Sequence, residues 1–157
     1  MDPKHNPNHH SVRRRLLLAA AGLPLAVLAR PSQATPDSMK ASLNEWTGGA
    51  PVRPGRVKLD IARLVDNGNA VPVTVTVDSP MTLADHVAGI AIFNERNPLP
   101  DVARFKLGPR AGRAEVSTRI RMATSQNLLA VAKMSDGSYW SQSVEVVVTL
   151  AACLEGD

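Results

Sequence analysis

The stretch RVKLDIARLVDNGNAVPVTVTVD, Arg56 to Asp78, decides the fold. Val57, Leu59 and Ile61 alternate with Lys58 and Asp60, the period of a strand with one face buried. Val71, Val73, Val75 and Val77 then alternate with Pro72, Thr74 and Thr76. Between the two runs stands DNGN, Asp66 to Asn69, a turn signal because Asn and Gly accept positive φ. Pro72 cannot donate to a ladder, so it suits an edge or strand-entry position.

Further strands follow at regular spacing. HVAGIAIFNE (86–95), VARFKLG (102–108), AEVSTRIRM (114–122), LLAVAKM (128–134) and YWSQSVEVVVTL (139–150) are separated by the loop NPLPD and the turns PRAGR and SDGS. With Arg56–Val65 and the Val71–Val77 run, that makes seven. Short strands punctuated by turn residues predict an antiparallel immunoglobulin-like β-sandwich over 56–150. A lead-in, 35–55, precedes it. There Met39, Leu43 and Trp46 at helical spacing predict a short helix, and Gly48-Gly49 with two prolines ends it. Residues 151–157 form a C-terminal tail. The chain has a single cysteine, so no inter-sheet disulfide is available and burial alone must hold the core.

Residues 1–34 read as an export signal. Arg13-Arg14-Arg15 leads into a short apolar run from Leu16 to Ala29, too short for a comfortable membrane span. Paired arginines there indicate the twin-arginine route and a periplasmic destination. Ser32-Gln33-Ala34 offers small residues to a signal peptidase, which places cleavage after Ala34. The leader holds five of the 18 basic residues and one of the 14 acidic ones, leaving 13 of each. The basic character therefore belongs to the leader, and neither nucleic acid nor a membrane surface is expected as a partner. Three of the four histidines, His5, His9 and His10, also lie there. No metal or cofactor site is read in the remaining chain.

Cys153 is the conspicuous residue. An odd cysteine in an exported protein points to an intermolecular bond or a functional free thiol. The face of the last strand that carries Val144, Val146, Val148 and Leu150 is apolar; Glu145 and Thr149 share the other with Val147. Strand parity would put Cys153 with the polar set, which argues against a core filler. The one remaining histidine, His86, opens a predicted strand and is expected to be structural. Glu155, Asp157 and the terminal carboxylate raise a thiol pKa, so the tail does not activate its own sulfur. A mobile thiol that is inert by itself reads as a carrier whose chemistry other proteins supply. The alternative is an immunoglobulin-like interaction module whose tail cysteine forms an inter-subunit disulfide.

Three long strings carry a family resemblance: DNGNAVPVTVTVDSPMT at Asp66–Thr82, IFNERNPLPDVARFKLGP at Ile92–Pro109 and AEVSTRIRMATSQNLLAVAKMSDGSYW at Ala114–Trp140, followed by a terminal strand leading to cysteine. From about Leu43 to Cys153 the chain resembles the SoxY sulfur carriers of periplasmic thiosulfate oxidation. The resemblance implies an immunoglobulin-like fold, a twin-arginine leader and a covalent sulfur adduct on Cys153. It implies a SoxZ-like partner subunit, a haem-containing coupling enzyme, a manganese-dependent thiol hydrolase and, where present, a sulfane dehydrogenase. It implies a carrier rather than an enzyme. The family tail is Gly-Gly-Cys-Gly-Gly. Here Ala151 and Ala152 precede the thiol, and Leu154, Glu155 and Gly156 follow it. Glycine makes a tail thin and flexible, whereas Ala-Ala is stiffer and Leu-Glu bulkier. Two surfaces are candidates for partners: NERNPLP, Asn94 to Pro100, and the pair Tyr139-Trp140.

Overall fold

A computed structural model describes residues 34–152. Residues 1–33 of the expected leader, Cys153 and residues 154–157 lie outside the described residues.

The short helix α1 spans Pro36–Thr47. Thr35 caps it: its hydroxyl accepts from the Ser38 N–H, and the Ser38 hydroxyl accepts from the Thr35 N–H. Gly48, at φ 64°, ends it in the left-handed conformation. Nine strands follow: β1 Val52–Pro54, β2 Val57–Asp60, β3 Leu64–Asn67, β4 Val71–Val77, β5 Val87–Asn94, β6 Asp101–Lys106, β7 Glu115–Ile120, β8 Gln126–Met134 and β9 Tyr139–Leu150. They form two sheets. One has three strands in the order β2-β4-β7; the other has six, in the order β1-β9-β8-β5-β6 with β3 also paired to β9.

The expected sandwich is present with one added strand, β1, inside the expected lead-in, and two further differences concern the strands that were expected. The run Arg56–Val65 is not one strand. It pairs with β4 as β2, crosses between the sheets at 61–63, and pairs with β9 as β3. Alternation reports which side chains are buried, and both halves keep it; it does not report which sheet a strand joins. The second difference is direction. β1 and β3 run parallel to β9, along its beginning and its end, while β8 pairs antiparallel on its other edge. Pro72 also finds its place in the register. β4 pairs with β7 from Val71 to Thr76 but with β2 only from Thr74 to Val77. Pro72 thus sits where the central strand has one neighbour.

The core lies between the sheets. Val71, Val73, Val75 and Val77 of β4 meet Ile90 and Ile92 of β5, Leu128, Ala130 and Ala132 of β8, and Val146 of β9. Burying each fully covered valine or isoleucine contributes about 1.5–3 kcal/mol. A polar bond also crosses between the sheets, where the Leu59 N–H donates to Gln142 Oε1 at 2.5 Å. The other face of the six-stranded sheet is not left to water. Met39, Leu43 and Trp46 of α1 pack on Ala91, Phe93, Val131 and Tyr139. The Trp46 ring meets Phe93 and Tyr139 edge to face, with centroids 6.2 and 5.3 Å away. β5 is consequently covered on both faces, which is why its sequence reads as a nearly continuous apolar run.

Candidate functional site

The carboxyl end of β9 brings the chain toward Cys153, so the site is built from what holds that end. β8 accompanies β9 only as far as Val146. Beyond it, β3 takes one edge of β9, with Leu64 opposite Val147 and Asn67 opposite Leu150. The Ser125 side chain serves the other edge. Its hydroxyl accepts from the Val148 N–H at 2.9 Å and donates to the Val148 carbonyl at 3.4 Å. The Thr149 hydroxyl donates to the Asp66 carbonyl at 3.0 Å.

The strand ends at Leu150, as its alternation predicts, but the chain does not come free there. Gly68 donates its N–H to the Leu150 carbonyl at 2.8 Å, and the Gly68 carbonyl accepts from the Met122 N–H at 2.8 Å. The Met122 carbonyl in turn accepts from the Ala152 N–H at 3.1 Å. Ala152 is 5% exposed. The tail expected to begin at Ala151 is therefore rooted one residue further on. Terminal segments fray unless backbone bonds and burial tie them down, and here both do.

Gly68 has a different role from the one its turn context predicts. It is not among the residues at positive φ. Its requirement is steric: a Cβ there would collide with the Met122 carbonyl oxygen, and would lie 2.9 Å from the Ala152 nitrogen and 3.2 Å from Val148 Cγ1. Two of those neighbours are backbone, which cannot rotate away. Asn67 and Asn69 supply the turn itself, the Asn67 Oδ1 accepting from the Asn69 N–H at 2.9 Å.

Met122 is held from the other side by the loop NERNPLP. Asn97 Nδ2 donates to the Arg121 carbonyl at 2.8 Å, and Asn97 Oδ1 accepts from the Ala123 N–H at 3.0 Å. One side chain thus splints both neighbours of Met122. Asn97 Oδ1 also accepts from Gln126 Nε2 at 2.8 Å, and the Arg96 N–H donates to Gln126 Oε1 at 2.9 Å. Asn94, 1% exposed, closes the network by accepting from the Asn97 N–H and donating to the Leu99 carbonyl. Among the described residues no buried side-chain polar atom lacks a partner. The Ala34 N–H donates to the Asn97 carbonyl at 2.7 Å, so the chain entering α1 touches the same loop. Beside it Asn94, Asn97, Pro98, Leu99, Asp101, Val102 and Arg121 line an open depression of about 310 Å³.

The two surface candidates separate. NERNPLP stands at the tail's pole. Tyr139-Trp140 opens β9 at the far pole, and Tyr139 is 5% exposed beneath Trp46. Trp140 is half-buried, its ring flanked by the guanidinium groups of Arg53 and Arg56 at 5.9 and 5.8 Å. His86 lies at that far pole as well. Its N–H donates to Ser135 Oγ, just past the end of β8, and its Nδ1 is 3.1 Å from the Thr82 carbonyl. The nine-residue length of β8, roughly 26 Å at 3.3 Å per residue, separates it from Gln126 and the tail root. Ser138 is there too and, through its hydroxyl and its N–H, holds the Asp136 carboxyl below its ordinary value of 3.8. Among the described residues no three His, Cys, Asp or Glu side chains converge as a metal site. None of the described helices is long and apolar enough to cross a membrane.

The family model of SoxY, described as sulfur oxidation protein SoxY, matches residues 43–153. No curated protein matches the sequence. Among solved structures, the sulfur carrier protein SoxY from Chlorobium limicola f thiosulfatophilum is 30% identical, with a TM-score of 0.62 over 73% of this chain and 98% of that one. The superoxide reductase (neelaredoxin) from Ignicoccus hospitalis is 16% identical, with a TM-score of 0.53 over 73% of this chain and 94% of that one. The superoxide reductase from Nanoarchaeum equitans is 11% identical, with a TM-score of 0.51 over 61% of this chain and all of that one. These last two share the fold alone. The match to the family model runs from within α1, through both sheets, to the cysteine that follows the rooted Ala152, and on that extent the chain belongs to the SoxY family of sulfur oxidation proteins.

Proposed function

We propose that this protein carries sulfur intermediates as a covalent adduct on Cys153 and presents them to partner enzymes. The observation that carries the reading is the extent of the family match, which ends on that residue. The open surface around the tail root supports it, since a carrier needs an accessible pole rather than a cleft of its own.

The chemistry divides between carrier and partners. Thiosulfate joins the thiol with loss of a proton and two electrons, which a haem-containing coupling enzyme accepts; the product is Cys–S–S–SO3⁻. A manganese-dependent thiol hydrolase then adds water across the outer S–S bond. Sulfate leaves with two protons, and a persulfide, Cys–S–S⁻, stays on the chain. A sulfane dehydrogenase, where present, oxidises the remaining sulfur. Cys153 contributes a sulfur that forms and releases a bond; its neighbours contribute reach. Ala151, Ala152, Leu154, Glu155 and Gly156 are the residues that accompany it into a partner's site. A SoxZ-like subunit would complete the carrier. The leader would deliver it to the periplasm by the twin-arginine route, with cleavage after Ala34 leaving the cap residue Thr35 at the amino terminus.

The test is an intact mass of the mature protein from cells given thiosulfate, with and without reductant. A reductant-labile sulfur increment mapped to Cys153 is expected, and Cys153→Ser should abolish it. A permanent disulfide dimer on a non-reducing gel, with no sulfur increment, would replace the carrier by an inter-subunit link.

A further inference from the structure

We propose that Gly68, Met122 and Ala152 form a clamp that roots the carrier arm, so that the arm of this protein pivots at Ala152 rather than at the end of β9. The inference rests on the carrier reading and goes beyond it, by assigning positioning residues that set how far the thiol can travel from the sandwich.

Three independent features meet at the clamp. The backbone bonds run in series, Gly68 to Leu150, Met122 to Gly68 and Ala152 to Met122, all between 2.8 and 3.1 Å. The Ala152 side chain is buried although the strand has ended two residues before. Gly68 is packed so closely against the Met122 carbonyl and the Ala152 nitrogen that no other residue fits. A strand that merely stopped at Leu150 would need none of these.

The clamp shortens the arm. Freeing Ala151 and Ala152 would add two residues, about 7 Å of extended chain. With Ala152 held at Met122, the arm starts beside the loop that carries Asn97 and Arg121, and a partner must bring its reacting centre near that surface. The alanine at 152 is part of the device. Its methyl occupies the buried place, which a glycine would leave without a side chain.

The experiment uses the mature chain with its native cysteine, Gly68→Ala, and Ala152→Pro, which deletes the bonding N–H at the chain's end where folding is least at risk. Amide exchange is read at Ala152 in the wild type and in Gly68→Ala. A nitroxide on Cys153, the only cysteine, reads arm mobility in all three proteins. Ala152 in the wild type should exchange at least about tenfold more slowly than an unstructured amide, and Gly68→Ala should remove that protection while Val146 in β9 keeps its own. The nitroxide should become more mobile in both variants. An unprotected Ala152 in the wild type, or a label equally mobile in all three proteins, overturns the clamp. A protected Ala152 on a chain whose Cys153 never loads sulfur supports the clamp and overturns only the carrier reading.

Discussion

Asn97→Ala is the sharpest test of how the tail's pole is held. The substitution removes three side-chain hydrogen bonds, to the Arg121 carbonyl, the Ala123 N–H and Gln126 Nε2, at 2.8, 3.0 and 2.8 Å. Each bond contributes about 0.5–1.5 kcal/mol net. The losses are unequal. The Arg121 side of the loop is exposed, so its carbonyl can turn to water. Gln126 keeps the Thr124 carbonyl at 3.2 Å. The partly buried Ala123 N–H has no such substitute and pays a desolvation penalty of about 1–3 kcal/mol if left unbonded. The sum is about 2–3 kcal/mol, with the fold retained because the valine core is untouched. For a domain of this size that corresponds to a fall in Tm of about 6–12 °C. Urea unfolding of the purified mature chain measures it directly, with the midpoint falling and the slope unchanged. Leu83→Ala is the control: Leu83 is 86% exposed and the change should stay within about 0.5 kcal/mol. A loss below about 0.5 kcal/mol for Asn97→Ala would mean that water replaces the splint and that the loop does not hold Met122.

The remaining predictions concern separate parts of the molecule. Trp46→Ala should cost about 2–3 kcal/mol, less than a fully buried large aromatic because Trp46 is only partly buried, and should expose Tyr139 to solvent; an unchanged Tyr139 fluorescence would refute the packing of α1 on the outer sheet face. The Asp136 carboxyl should titrate below 3.8 by NMR, since both Ser138 donors favour its charged form. Its contribution is then complete above the ordinary carboxylate value and is lost as pH falls through the lowered midpoint, a slope that Asp136→Asn should remove. A midpoint at or above 3.8 would refute the turn geometry. Cys153→Ser should leave the unfolding curve of the mature chain unchanged within about 0.5 kcal/mol while abolishing the sulfur increment; retained loading would place the carrier function elsewhere.

Much of the fold was legible from side-chain period alone. The valine–threonine alternation of β4, the apolar spacing of Met39, Leu43 and Trp46, and the turn residues between strands each report a local fact, namely which face of an element is covered. Such facts accumulate into a sandwich with a helix laid on it. The partition of Arg56–Val65 between two sheets was not legible, because both sheets bury alternate residues of the same kind. The parallel pairings of β1 and β3 with β9 were hidden for a related reason: pairing direction leaves no mark in a short strand's composition.

The candidate site divides the same way. A solitary cysteine after a terminal strand marks itself in the sequence, because residue type and position are all that mark requires. Its root does not. Gly68, Asn97 and Met122 are spread over more than fifty residues of chain, and two of the three act through backbone groups that every residue possesses. Gly68 read as a turn glycine, since a missing Cβ looks the same in sequence whether it permits a torsion or a close approach. By itself the sequence determined the sandwich, the helix and the thiol, all of which follow from the identity and period of neighbouring residues. Only the tertiary structure decided how Ala152 is held, because that depends on Gly68 and Met122, distant in sequence, meeting at its backbone nitrogen.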